Sequence, residues 1–197
     1  MKKIVLASRN QGKLREFKEM LKSLSVVIMD LSSWPELPEP EETGQTFLGN
    51  AKLKARYYAK KTGNYCLADD SGLEVFALNG APGVYSARYA GDSHDDKANN
   101  QLLIKNMQGK TDRDCRFCCA LALAKPDGEI ILTAEGFCEG VLLEAEDGQG
   151  GFGYDPLFYS KDLHKSLGQA TDEEKNTISH RSRALQELVK LWSEKVC

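Results

Sequence analysis

The sequence predicts an α/β fold with a mixed sheet, and three observations predict it. Short apolar runs rich in β-branched residues alternate with segments of helical period in the first half of the chain. A hairpin pattern lies late, around "KPDGE", and helical periodicity closes the chain. The 197 residues suffice for one domain with a real core, and a division into two small lobes is compatible with that length. Residues 1–197 are therefore read as a single domain.

Each element has its own signal. "KKIVLAS" is a first strand, a short run with β-branched members, and "RNQGK" is a polar, glycine-bearing loop. "LREFKEMLKSL" places Leu14, Phe17, Leu21 and Leu24 at helical spacing, and "SVVIMDL" reads as a second strand. "SSWPELPEPEETG" is loop, with three prolines and four glutamates. From Gln45 to about Lys61 the pattern is helical and stops at "TGN", where Gly63 suits a left-handed cap. "YCLADDSGLEVFAL" supplies one or two strands with an acid pair between them. "NGAPGVYSARYAG" is rich in turns, and "DDKANNQLLIKNMQG" is a helix followed by Gly109. "CRFCCALALAKPDGEIILTAEGFCEGVLL" forms the hairpin, and "DGQGGFGYDPLF" is a glycine-rich loop. "TDEEKNTISHRSRALQELVKLWSEK" is a closing helix, with Thr171 and Glu174 at capping-box spacing and Leu185, Leu188, Val189 and Trp192 as its apolar stripe.

Composition excludes several classes. Hydrophobic residues make up 41% and charged residues 28%, as in an ordinary globular protein. The net charge of −3 gives no field for nucleic acid, so an anionic partner must be held by a local basic cluster. There is no apolar run of about 18 residues, which speaks against a membrane span. The opening "MKKIVLASRNQGK" has too short an apolar stretch for a signal peptide, so the expected location is the cytoplasm. Of the six cysteines (Cys66, Cys115, Cys118, Cys119, Cys138 and Cys197), the "CRFCC" group leads into "ALALA" and reads as buried strand, not as a metal knuckle.

Five segments carry candidate chemistry. "ASRNQGK" joins a strand to a helix, where backbone N–H groups and the helix dipole favour phosphate; Ser8 and Asn10 add donors and Lys13 a charge. It is not the familiar P-loop, which wants Gly at Ala7 and Ser or Thr at Leu14. The basic helix with Lys52, Lys54, Arg56, Lys60 and Lys61 is mostly a solvated face, with one lysine at its inner edge able to reach a phosphate. Asp69 and Asp70, in an apolar setting, must be paired, hydrogen-bonded or metal-bound. Adjacent strand residues point to opposite faces, so one acid is expected to cap a turn with Ser71-Gly72 and the other to do chemistry. Such oxygens suit magnesium, and a third acid from "EPEETG" could complete the site. "GQGGFGYDP" has the glycine spacing of a dinucleotide fingerprint, but Pro156 and the missing βαβ context rule that out. Its Phe152 or Tyr154 offers a face for a planar base. Lys175, His180 and Arg181 suit the edge of a base or a phosphate. Together these describe a pocket that hydrolyses a nucleotide, without saying which bond breaks.

"SRNQGK", "EETGQTFLGNAKLKA", "ADDSGLEV", "GAPGVYSARYAG", "GGFGYDPLF" and "EEKNTISHR" occur here in the order found in the inosine triphosphate pyrophosphatase family, which the chain resembles from residue 4 to about residue 185. The resemblance implies an elongated α/β fold with two lobes and a nucleotide cleft between them. It implies hydrolysis of dITP, ITP and XTP to the monophosphate and pyrophosphate by a magnesium-dependent homodimer. Carried onto this chain, Ser8, Arg9, Asn10, Gln11, Gly12 and Lys13 hold the phosphates with Lys54, Asp70 is the catalytic carboxylate, and Glu42 with Asp70 holds Mg²⁺. Ser71, Phe152, Gly153, Tyr154, Asp155, Lys175, His180 and Arg181 line the nucleotide and its base. With an ordinary pKa near 4, Asp70 is expected to organise water more than to deprotonate it. Donors from His180–Arg181 favour a 6-oxo purine over adenine. Members of the family often carry acids where this chain has Gly49 and Gln169. Three rival readings are a pyrophosphatase of different base preference, a nucleotide-binding regulator without turnover, and a phosphomonoesterase releasing orthophosphate.

Overall fold

A computed structural model describes residues 2–195; Met1, Val196 and Cys197, the last of the six cysteines named above, lie outside the described residues. The strands are β1 (Lys2–Leu6), β2 (Val26–Asp30), β3 (Tyr65–Val75), β4 (Asp114–Ala124), β5 (Ile130–Leu142), β6 (Phe158–Ser160) and β7 (Lys165–Ser166). The helices are α1 (Gln11–Met20), α2 (Phe47–Thr62), α3 (Asp96–Asn106), α4 (Asp172–Ile178) and α5 (His180–Lys195). Among the described residues the strands form one seven-stranded sheet in the order β2-β1-β3-β4-β5-β6-β7. β1 runs parallel to β2 and β3, while β5-β6-β7 pair antiparallel, so the sheet is mixed as expected.

The chain divides into two compact units. The first comprises residues up to Asp70, Cys119–Gly136 and residues from Arg181 onward; the second comprises Ser71–Cys118 and Phe137–His180. In the first, Ile4, Leu6 and Leu67 on one face of β1 and β3 pack with Cys119, Leu121 and Leu123 of β4. α1 contributes Leu14 and Phe17 to this cluster, and α5 contributes Ala184, Leu185, Leu188 and Trp192. Strand alternation turns Ala68, Ala120 and Ala122 to the opposite face. There α2 buries Ala51, Ala55 and Ala59, spaced i, i+4, i+8, and small side chains on helix and sheet allow close approach. The core of the second unit is built by Leu73, Val75, Leu103, Met107, Phe117, Leu142, Leu157 and Phe158.

Three expectations need correction. α1 begins at Gln11, because the Asn10 side chain accepts from the Lys13 N–H at 3.1 Å and caps the helix there; Gln11, Gly12 and Lys13 are its first turn, not a loop. β3 runs unbroken through Asp69 and Asp70, and neither acid caps a turn, since both are matched by side chains from helices. The closing helix is two helices. Ser179 adopts φ −62° and ψ 150°, the extended geometry of an N-cap, and α5 starts after it.

Candidate active site

The site in the first unit is built where β1 and β3 run side by side. The Ala7 N–H donates to the Leu67 carbonyl at 2.9 Å, which fixes the segment after β1 two residues before the acid pair. The chain then turns into α1, leaving the N–H groups of Gln11 and Gly12 unclaimed by the helix. Asn10 is occupied as the cap, and its own N–H donates to Ser8 Oγ at 3.2 Å. Arg9 turns away, donating to the Leu37 carbonyl at 2.8 Å and lying 3.8 Å from Glu39.

Asp69 and Asp70 point to opposite faces of β3, and each meets a different set of cations. Asp69 accepts from Lys13 Nζ at 2.7 Å and lies 3.9 Å from Arg181 Nε. Arg181 is buried and also donates to Glu16 at 2.7 Å. Burial alone would raise the Asp69 carboxyl, but Lys13, Arg181 and Lys54 outweigh it and hold the group well below the usual carboxylate range. Asp69 is thus an electrostatic anchor for the Lys13 and Arg181 side chains.

Asp70 faces α2. Asn50 donates to its Oδ2 at 3.0 Å, and Lys54 Nζ lies 3.5 Å from its Oδ1. The same Nζ is 2.6 Å from Glu42 Oε1, so two carboxylates from separate segments converge on one partly buried ammonium. Lys54 is held above its ordinary range, because Asp70, Asp69 and Glu42 outweigh the burial that would lower it. Asp70 goes the other way. Burial, reinforced by Glu42 and Asp69, pushes it up to about 6 against the pull of Lys54 and the Asn50 hydrogen bond. The expectation of an ordinary pKa near 4 is corrected accordingly for the site without a metal ion.

Two residues that frame this group were missed. Asn50 accepts from the Gly44 N–H at 2.7 Å while donating to Asp70, and so ties the Glu42 loop to β3. A Cβ on Gly44 would come within 2.4 Å of Asn50 Oδ1, which explains the glycine. The signal was present: Asn50 precedes Lys54 by four residues on α2, which puts both on one helix face. Glu16, the partner of Arg181, had no such signal.

The second unit holds the other candidates. Ser71, next after Asp70 in β3, is partly buried. Phe152 is 54% exposed, whereas Tyr154 is buried and donates its hydroxyl to the Ser86 carbonyl at 2.7 Å. Of the two rings offered as a stacking face, only Phe152 presents one. Asp155 Oδ2 accepts from the Phe152 N–H at 2.9 Å and from Lys175 Nζ at 2.6 Å, and that ammonium lies 5.0 Å from the centre of the Phe152 ring. His180 stacks on Phe117 with ring centres 5.0 Å apart. Cys115, Cys118 and Cys119 lie buried within β4, as the strand reading expects. Among the described residues no three His, Cys, Asp or Glu form a group able to hold a metal. A site of two carboxylates that shares its ion with a substrate's phosphates needs no third.

The family model described as "Ham1 family" matches residues 4–191. The chain belongs to the Ham1 family. A protein of an Exiguobacterium strain named dITP/XTP pyrophosphatase is 50% identical over 186 residues, covering 94% of each chain. The Ham1 protein of Staphylococcus aureus superposes with a TM-score of 0.89 at 43% identity, over 98% of this chain and 100% of that one. That of Coxiella burnetii gives 0.93 at 40% identity, with the same coverage. Membership bears out the resemblance drawn from the six motifs, and the Ham1 structures bear out the α/β class.

Proposed function

We propose that this chain hydrolyses non-canonical purine nucleoside triphosphates (dITP, ITP and XTP) to the monophosphate and pyrophosphate. It is a hydrolase of the phosphoanhydride bond, in keeping with relatives named dITP/XTP pyrophosphatase. The observation that carries the reading is the convergence of Glu42 and Asp70 on the single ammonium of Lys54, on the face of β3 opposite the Lys13–Asp69 pair. On that face two carboxylates, Glu42 and Asp70, meet one cation, Lys54.

That surplus of hard oxygen fits magnesium, which Glu42 and Asp70 would hold. Bound there, it would neutralise charge on the phosphates. Lys13, with its ammonium fixed by Asp69, and the N–H groups of Gln11 and Gly12 bind phosphate oxygens, alongside Ser8, while Asn10 serves as the helix cap and Arg9 is turned to Leu37 and Glu39. Lys54 supplies the cation beside Asp70. Asp70 orients the attacking water and takes its proton at a carboxylate oxygen. Ser71, Phe152, Gly153, Tyr154, Asp155, Lys175, His180 and Arg181 are assigned to the nucleotide; within that set Phe152 stacks on the base, and donors at His180–Arg181 favour a 6-oxo purine.

The reading includes a homodimer in the cytoplasm, with neither nucleic acid nor membrane as partner; the net charge of −3 supports the exclusion of nucleic acid. No helix among the described residues is long and apolar enough to cross a membrane. The deciding experiment is product analysis. With ITP and Mg²⁺, the expected products are inosine monophosphate and pyrophosphate in equal amounts. Orthophosphate with inosine diphosphate as the product would overturn the reading.

A further inference from the structure

Phe152 is an exposed ring on a glycine-rich segment, where Gly148, Gly151 and Gly153 all have positive φ. Such a segment has more conformational freedom than most, yet a stacking face must be held still to be useful. Two side chains of α3 remove that freedom. Asp96 Oδ2 accepts from the Gly153 N–H at 2.7 Å, and Asn100 Nδ2 donates to the Gly153 carbonyl at 3.2 Å. Both polar groups of one peptide residue, held at φ +59°, are thereby gripped from one helix face, since Asp96 and Asn100 are four residues apart.

The grip is itself well founded. Asp95 caps α3 by accepting from the N–H groups of Lys97 and Ala98. Buried Asn99 accepts from the Ala90 N–H at 2.7 Å and donates to the Ala87 carbonyl at 3.2 Å. Asn100, also buried, gives another amide hydrogen to Glu146 at 2.9 Å, which fixes the orientation of its side chain. On the other flank, Asp155 accepts from the Phe152 N–H and from Lys175. Phe152 therefore sits between two anchors, and only the Asp155–Lys175 side was legible in the sequence motifs.

We propose that Asp96, with Asn100, is a positioning residue for purine recognition, holding the Gly153 peptide so that Phe152 presents its ring to the base. This rests on the reading of Phe152 as the stacking partner. Asp96→Ala is expected to raise KM for ITP about tenfold, the loss of one charge-assisted hydrogen bond, with kcat within about twofold of wild type. Asp96→Asn keeps a carbonyl acceptor for the Gly153 N–H and is expected to recover most of that loss. Inorganic tripolyphosphate has no base, so its inhibition constant is expected to be unchanged in Asp96→Ala. In a Phe152→Ala background, Asp96→Ala is expected to add nothing further.

A rise in KM for ITP matched by an equal weakening of tripolyphosphate inhibition overturns the proposal, as does Asp96→Asn behaving like Asp96→Ala. If Phe152→Ala raises KM and Asp96→Ala does not, the positioning role fails while stacking stands. If Phe152→Ala leaves KM unchanged, the stacking reading fails, and this inference fails with it.

Discussion

At the scale of single residues, the two adjacent acids of β3 have opposite electrostatic characters. Asp69 is held ionised by Lys13 and Arg181, while Asp70 is lifted by burial and by Glu42. Asp70→Asn is expected to lower kcat at least a thousandfold while nucleotide binding, measured by calorimetry, persists. The same variant has a stability signature in metal-free buffer. A carboxyl raised from 3.8 to about 6 binds its proton more readily in the folded state, so its contribution to stability grows as pH falls from about 7 to about 4. Asp70→Asn lacks that limb, and the difference between the two melting curves over this range is expected to reach about 2 kcal/mol. Lys13→Ala should act twice. It removes a phosphate-binding cation, raising KM, and it leaves Asp69 buried with Arg181 at 3.9 Å as its remaining close cation in the first unit. A cost of about 3 kcal/mol is expected, read as a drop of several degrees in Tm.

At the scale of elements, capping decides where helices start and stop. Thr171 accepts from the Glu174 N–H while the Glu174 side chain accepts from the Thr171 N–H, so Thr171→Ala should cost about 1 kcal/mol in a denaturant titration. Gly63 ends α2 at φ +67° with open space around its Cα; Gly63→Ala should cost about 1 kcal/mol through backbone strain, with no steric clash. Both caps were legible because their chemistry is local: a hydroxyl three residues before a glutamate, a glycine after the last apolar position. The stripe of Leu185, Leu188, Val189 and Trp192 was legible for the same reason. What was not legible depended on distant partners. The sequence suggested a break at Asp69-Asp70, because nothing local announces that Lys13, Asn50 and Lys54 arrive from two helices to satisfy the acids. Among the site residues, Lys13, Glu42, Lys54 and Asp70 were named from motifs; Asn50 stood inside one of them without being singled out, whereas Glu16, Asp96 and Asn100 act through other residues and belonged to no motif used.

At the scale of the whole molecule, each unit has its own apolar core, Leu121 lying in one and Phe158 in the other. Leu121→Ala and Phe158→Ala should each cost about 3 to 4 kcal/mol in equilibrium unfolding. Trp34 and Trp192 both belong to the first unit, so intrinsic tryptophan fluorescence reports on the surroundings of Leu121. The buried thiols extend this idea. Burial pushes the Cys66 thiol far above its usual range and the Cys115 thiol up to about 12, so neither offers an appreciable thiolate to an alkylating reagent at neutral pH. Cys66 and Cys119 lie in the first unit, and Cys115 and Cys138 in the second. Iodoacetamide can therefore mark these sites only during excursions that let solvent in. Timed labelling followed by peptide mass spectrometry turns an ordinary feature of packing into two built-in clocks, one for the opening of each half of the polypeptide.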